Sequence, residues 1–170
     1  IEDVVKNQKF KTSVYSRESF YDVELYADTN PVNIFVVNEK NYEELPKKPI
    51  DIKINGNSIT LDSEEFKKPF VTTFNKLISL PYANFIITKN EKFNKKKVKK
   101  MDLDDLYFTY SDTESVVDDY QKALDVVLLD KDATVIGLSI DYANKDKAKD
   151  FLNGINKIYN DYAISDKNIE

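Results

Sequence analysis

The sequence predicts an α+β protein: a mostly antiparallel sheet packed with a few helices, ending in a long C-terminal helix. Three observations carry this. Strand-like runs follow one another directly between well-separated helical stretches, an order that favours antiparallel pairing. An Asn55-Gly56 pair sits inside an alternating apolar run, the pattern of a hairpin. From Asn144 onward, apolar residues recur at helical spacing on one stripe.

Taken in order, residues 1–9 read as a short helix with Ile1, Val4 and Val5 on one face. Residues 10–30 are a mixed stretch rich in Tyr and Phe, closed by a Thr29-Asn30-Pro31 turn. The run 32–37 is β-branched and aromatic and reads as a strand. In the hairpin, a turn on Asn55-Gly56 sets Ile52 opposite Ile59 and Ile50 opposite Leu61. Those four residues share a face with Ile54, and Asp51, Lys53, Ser58 and Thr60 take the other. Residues 63–80 are ambiguous: Phe66, Phe70, Phe74, Leu77 and Ile78 have helical spacing, which Pro69 interrupts.

Two further strands are expected at 84–89 and 105–110, joined by the charged run EKFNKKKVKK. Thr113 starts a helix that buries Val116, Val117, Tyr120, Ala123 and Leu124. Strands at 126–129 and 134–140 follow, joined by a turn over 130–133, with Ile136, Leu138 and Ile140 on one face of the second. Asn144 caps the last helix. Its stripe is Ala148, Phe151, Leu152, Ile155, Ile158, Tyr159 and Tyr162, and it is expected to pack on the Ile136-Leu138-Ile140 face. Lys147, Lys157 and Asp161 fall on the opposite face.

Composition narrows the chemistry. Over 170 residues, 41% are hydrophobic and 32% charged, the balance of a globular protein rather than a disordered tail. The net charge of −5 argues against a nucleic-acid partner, which needs a basic footprint. Cys and His are both absent, which excludes zinc sites built on them, thiol nucleophiles and Ser-His-Asp triads. Of 25 basic residues only Arg17 is arginine, so bidentate clamps for phosphate or carboxylate are scarce. With only Gly56, Gly137 and Gly154, there is no phosphate-cradling loop. No apolar run has the length of a membrane span. Residue 1 is Ile and already reads as helix, so the sequence is expected to be a piece of a longer protein.

Carboxylates are the one abundant catalytic residue type. Asp102, Asp104 and Asp105, and Asp118 and Asp119, form two clusters that can in principle cleave a glycoside or hold calcium. Neither has calcium-loop spacing, and both are read as solvated surface. The lysines at 95, 96, 97, 99 and 100 can attract an acidic polymer or membrane, but are expected to form a mobile, solvated loop neutralised by the following aspartates. Tyr15, Phe20, Tyr21 and Tyr26 can form a sugar-stacking surface, although such rings more often fill a core, the reading preferred here. Catalytic, cofactor and metal residues are therefore none.

The C-terminal third carries a resemblance. Leu138-Ser139 ends a strand, Lys147-Ala148 starts a helix, and Phe151-Leu152-Asn153, Tyr159 and Asp166-Lys167-Asn168 follow. This pattern resembles the end of the periplasmic domain in chain-length-determinant (Wzz-type) polysaccharide co-polymerases. It is most similar to those fused to tyrosine autokinases in capsule and exopolysaccharide export in Bacteroidota-like bacteria. Leu25-Tyr26 and Pro31-Val32, with the flanking runs IEDVVKNQKF and YANFIITKNEKF, are looser matches upstream. The resemblance implies a single periplasmic domain over 1–170, with 32–100 read as a β-rich insertion. The parent would be a membrane-anchored protein that forms a homo-oligomer and works with a polysaccharide polymerase, the export machinery and the polysaccharide itself. It would regulate chain length from the periplasmic side of the inner membrane. Any kinase activity would belong to a domain outside this chain, which is read as non-enzymatic. Phe151, Leu152, Tyr159, Leu138 and Tyr120 are the structural and assembly candidates. A carbohydrate-binding module is the alternative, and a minimal Asp- or Glu-based glycosidase a third reading.

Overall fold

The computed structural model describes residues 1–7, 10–40, 45–130, 132 and 135–167. It is α+β, and every strand pairing described is antiparallel. The chain divides into two compact units, one of residues 11–112 and one of 1–10 with 113–170. The segment 32–100 lies within the first.

The 11–112 unit is a sandwich of two sheets. Its strands are β1 (Thr12–Ser16), β2 (Val23–Leu25), β3 (Val32–Glu39), β4 (Ile50–Asn55), β5 (Ser58–Asp62), β6 (Phe70–Thr73), β7 (Leu77–Ser79), β8 (Ala83–Lys89) and β9 (Leu106–Tyr110). Six form one sheet in the order β2-β1-β9-β4-β5-β6, and three form another in the order β3-β8-β7. Alternation along each strand supplies the shared core. Val14, Ile50, Ile52, Ile59, Leu61 and Phe108 enter it from the larger sheet, and Val32, Ile34, Ile78, Phe85 and Ile87 from the smaller. The ambiguous stretch 63–80 becomes β6 and β7, with Pro69 immediately before β6, where a strand tolerates proline.

The hairpin register differs from the expected one. Ile52 stands opposite Leu61, Ile54 opposite Ile59 and Asn55 opposite Ser58, so the turn is Gly56-Asn57. Gly56 has φ +62°, and Asn57 is not among the residues of positive φ. Positive φ at the first central residue alone is the signature of a type II′ turn, which asks for glycine there. The offset is two residues, and strand side chains repeat every two. The faces are therefore the expected ones: Ile50, Ile52, Ile59 and Leu61 are buried. A Cβ at Gly56 would meet nothing within 4 Å, so a side chain there strains only the backbone. Gly56→Val is accordingly expected to cost about 1 kcal/mol or more in a urea melt.

The lysine run is also corrected. Its lysine side chains face solvent as expected, but Lys95–Val98 is a 3-10 turn and Val98 is buried in the sandwich core. Asn94 Oδ1 accepts from the Lys96 amide at 3.1 Å, and Lys97 Nζ pairs with Asp28 at 2.7 Å. One apolar residue in the run anchors the connector and makes it part of the fold.

The other unit packs α1 (Glu2–Asn7), α2 (Thr113–Ala123) and α3 (Lys145–Lys167) around Val4, Val5, Phe10, Val116, Tyr120 and Phe151. Between α2 and α3 lies a two-stranded hairpin, β10 (Leu124–Asp130) and β11 (Val135–Ile140). Val126 stands opposite Leu138 and Leu128 opposite Ile136. Residues 8–9 of the expected first helix, 131, 133 and 134 of the expected turn and strand, and 168 of the last motif lie outside the described residues. Asn144 does cap α3, its Oδ1 accepting from the Lys147 amide at 3.1 Å.

The docking of α3 is corrected. Phe151 turns into the α1-α2 aromatic cluster rather than onto the strand face. Leu152, one position on, is half-buried beside β11. Tyr159 and Tyr162, expected in the seam, are exposed, although the Tyr162 hydroxyl reaches Asp3 at 3.1 Å. Lys147, expected on the solvent face, is 1% exposed with its ammonium over the Tyr142 ring at 5.7 Å.

Candidate functional sites

Two surfaces stand out, one in each unit. In the helical unit, an apolar groove of about 700 Å³ runs between β11 and α3. Ile136, Leu138 and Ile140 form one wall, and Ala148 and Leu152 the other. These are the even-numbered residues of β11, which strand pleating puts on one face. Polar side chains, among them Asp141, Lys145, Lys149 and Asn153, line much of the remainder. The hairpin beyond the groove is strongly apolar and open: Val126, Val127, Leu128, Leu129, Val135 and Ile136 are all about half exposed or more. A two-stranded sheet is marginal alone, and this one leaves most of its apolar side chains open to solvent.

Of the assembly candidates, Leu138 and Leu152 meet in this groove. Phe151 and Tyr120 meet elsewhere, in the core at a ring separation of 4.2 Å. Tyr159 joins neither group, being 72% exposed. Adjacent positions on a helix point about 100° apart, which is why Phe151 and Leu152 serve different contacts.

In the sandwich unit, the outward face of the six-stranded sheet carries a row across four strands. Glu24 on β2 stands opposite Tyr15 on β1, Tyr15 opposite Tyr107 on β9, and Tyr107 opposite Asp51 on β4. The Tyr15 and Tyr107 rings stack at 5.0 Å and 13°. Arg17 lies over the Tyr107 ring at 4.5 Å and bonds Asp51 at 2.5 Å and Asp105 at 2.8 Å. The Tyr107 hydroxyl donates to Asp22 at 2.7 Å. Partial burial works against the Arg17 charge, but its bonds to Asp51 and Asp105 outweigh this and raise its pKa.

Burial raises the Tyr107 pKa above its ordinary 10.0, and the bond to Asp22 adds to the shift. Burial likewise raises Tyr15, Tyr82 and Tyr110. A raised phenol is neutral in the folded state when the unfolded chain ionises. The contribution of these phenols to the stability of the unit is therefore fully present below pH 10 and lost as pH climbs through the folded values. An ultraviolet phenolate titration should show these four tyrosines ionising above the ordinary phenol value, together with alkaline unfolding. Four tyrosines ionising at their ordinary value in folded protein would contradict this.

The aromatic cluster named from sequence does not fill the core. Tyr15 and Tyr26 are half-buried, and Phe20 and Tyr21 are 96% and 72% exposed. Tyr15 faces outward because Val14 and Ser16 on either side face in. Sequence reasoning missed Tyr107, whose pairing with Tyr15 spans strands far apart in the chain. The lone arginine was the one available signal. Both carboxylate clusters stay at the surface: Asp105 holds Arg17, Asp102 accepts from the Asp104 amide, and Asp118 and Asp119 are exposed. Among the described residues, no helix is long and apolar enough to cross a membrane.

No protein-family model matches the chain, and no curated protein matches it.

Proposed function

We propose that this chain is a non-catalytic, periplasmic-side domain of a bacterial polysaccharide co-polymerase, which regulates chain length and export through homo-oligomeric assembly. The parent protein carries the membrane anchor and a cytosolic tyrosine autokinase. The observation that carries the reading is the run from Leu138 to Asn168, which resembles the end of the Wzz-type periplasmic domain. The open apolar hairpin and its groove support it, since assembly would cover such a surface.

The test is made in the intact parent protein, in its own bacterium, with Leu128→Asp and Ile136→Asp together. Both side chains are about half exposed, so the variant should accumulate normally. Cross-linked oligomers should disappear and the surface polysaccharide should lose its modal length. An unchanged length distribution with normal protein levels would overturn the proposal.

A further inference from the structure

The loop between β1 and β2 presents a second surface. It runs from Arg17 to Asp22, and its tip carries Phe20 and Tyr21. Phe20 is 96% exposed and Tyr21 72%, and neither has a ring or hydrogen-bond partner among the described residues. Exposing two aromatic rings side by side is costly, and nothing in the sandwich core requires it. The loop is not held loosely. Asp22 accepts from the Tyr107 hydroxyl, Arg17 is clamped by Asp51 and Asp105, and Glu18 accepts from the Ser16 hydroxyl at 2.7 Å and the Asp102 amide at 3.0 Å. The rings thus project from a preorganised base, which lowers the ordering cost of binding.

We propose that Phe20 and Tyr21, with the carboxylate of Asp22 that follows them in the loop, form a binding platform for an uncharged oligosaccharide. A pyranose offers an apolar face of C–H groups, which an exposed ring covers, and an edge of hydroxyls. Those hydroxyls donate to ionised carboxylates, the stronger class of hydrogen bond. The charge pattern selects against acidic polymers: Asp51 and Asp105 engage the Arg17 guanidinium, and Asp22 and Glu24 add negative charge beside the Tyr15-Tyr107 pair. The pattern also disfavours a protein interface. From residue 11 to 34, Phe20 and Tyr21 are the only large apolar side chains left exposed. This inference concerns the sandwich unit and holds independently of the co-polymerase proposal.

The chain contains no tryptophan, so tyrosine fluorescence of the 170-residue chain reports binding directly. It should be titrated with cellohexaose, maltohexaose and mannohexaose, with oligogalacturonate, and with a lysine-rich peptide. At least one neutral hexasaccharide should give a saturable change, and oligogalacturonate none. Phe20→Ala with Tyr21→Ala should weaken that binding by about tenfold or more while far-ultraviolet circular dichroism is unchanged. Asp22→Asn should weaken it severalfold. The proposal is overturned by no response to any neutral hexasaccharide, by binding indifferent to the double substitution, or by a response to the lysine-rich peptide alone.

Discussion

Phe151→Ala is expected to lower the unfolding free energy by about 3–5 kcal/mol, the usual cost of removing a fully buried phenylalanine ring. Phe151 is 0% exposed and sits between Tyr120, at 4.2 Å, and Phe10, at 5.9 Å. Phe10 and Tyr120 contact each other as well, at 5.2 Å, so the three rings form a closed set. Removing one strips partners from both others and opens a cavity among the three packed helices. Against a typical total of about 5–15 kcal/mol, the loss is severe. Lys157→Ala is the control: its ammonium is exposed and holds only Asp161 one turn away, so a change within about 0.5 kcal/mol is expected. Tyr159→Ala should behave like Lys157→Ala, since its ring is open to solvent. Urea melts of the three variants beside the wild type decide the matter. If Phe151→Ala melts with the wild type, α3 is not docked on α1 and α2.

Phe108→Ala should cost the sandwich unit a similar amount, about 3–5 kcal/mol. Phe108 is 1% exposed on β9, the strand that joins β1 to β4, and stands opposite Val14 on one side and Ile50 on the other. Its ring meets Phe85 of the facing sheet edge-on at 6.0 Å and 68°. The contact therefore ties the two sheets together. A double-mutant cycle between Phe85→Ala and Phe108→Ala is expected to give a coupling of about 0.5–1.5 kcal/mol. Additive effects would show that the two rings fill the core without depending on each other.

Local pattern made much of the architecture legible. The β-branched run at 32–37, the strands near 84–89 and 105–110, the hairpin faces, the 126–140 strand pair and the helix capped by Asn144 are all present. Each depends on a period of two or of 3.6 residues, or on a cap, and these act over a few neighbouring positions. Failures came where two local solutions were nearly equal. A two-residue turn fits at 55–56 or at 56–57, and the preference of a type II′ turn for glycine in its first position decides for the second. Likewise, the stripe on α3 is wide enough to face either the strand pair or the other helices, and periodicity does not say which.

The candidate surfaces were less legible than the fold, for a related reason. Leu138 and Leu152 were named from a motif, and the structure brings them to one groove. Tyr159 was named on the same ground and faces solvent. Tyr15, Phe20 and Tyr21 were noticed as an aromatic cluster and assigned to a core they do not enter. The surroundings of Tyr15 depend on β9, about 90 residues further on, which supplies Tyr107.

By itself, then, the sequence determined the α+β class, most of the elements, and which side of each strand is apolar. It also excluded chemistry that needs histidine, cysteine or a glycine-rich loop. Tertiary structure alone decided that β1 pairs with β9, that Arg17 reaches both Asp51 and Asp105, that Val98 anchors the lysine run, and that Phe151 and Leu152 serve different neighbours. The division has a physical basis. Backbone propensity and side-chain period are properties of short segments. Strand order and helix docking depend on how apolar surfaces from distant segments are buried together, and many arrangements satisfy the same local pattern before packing selects one.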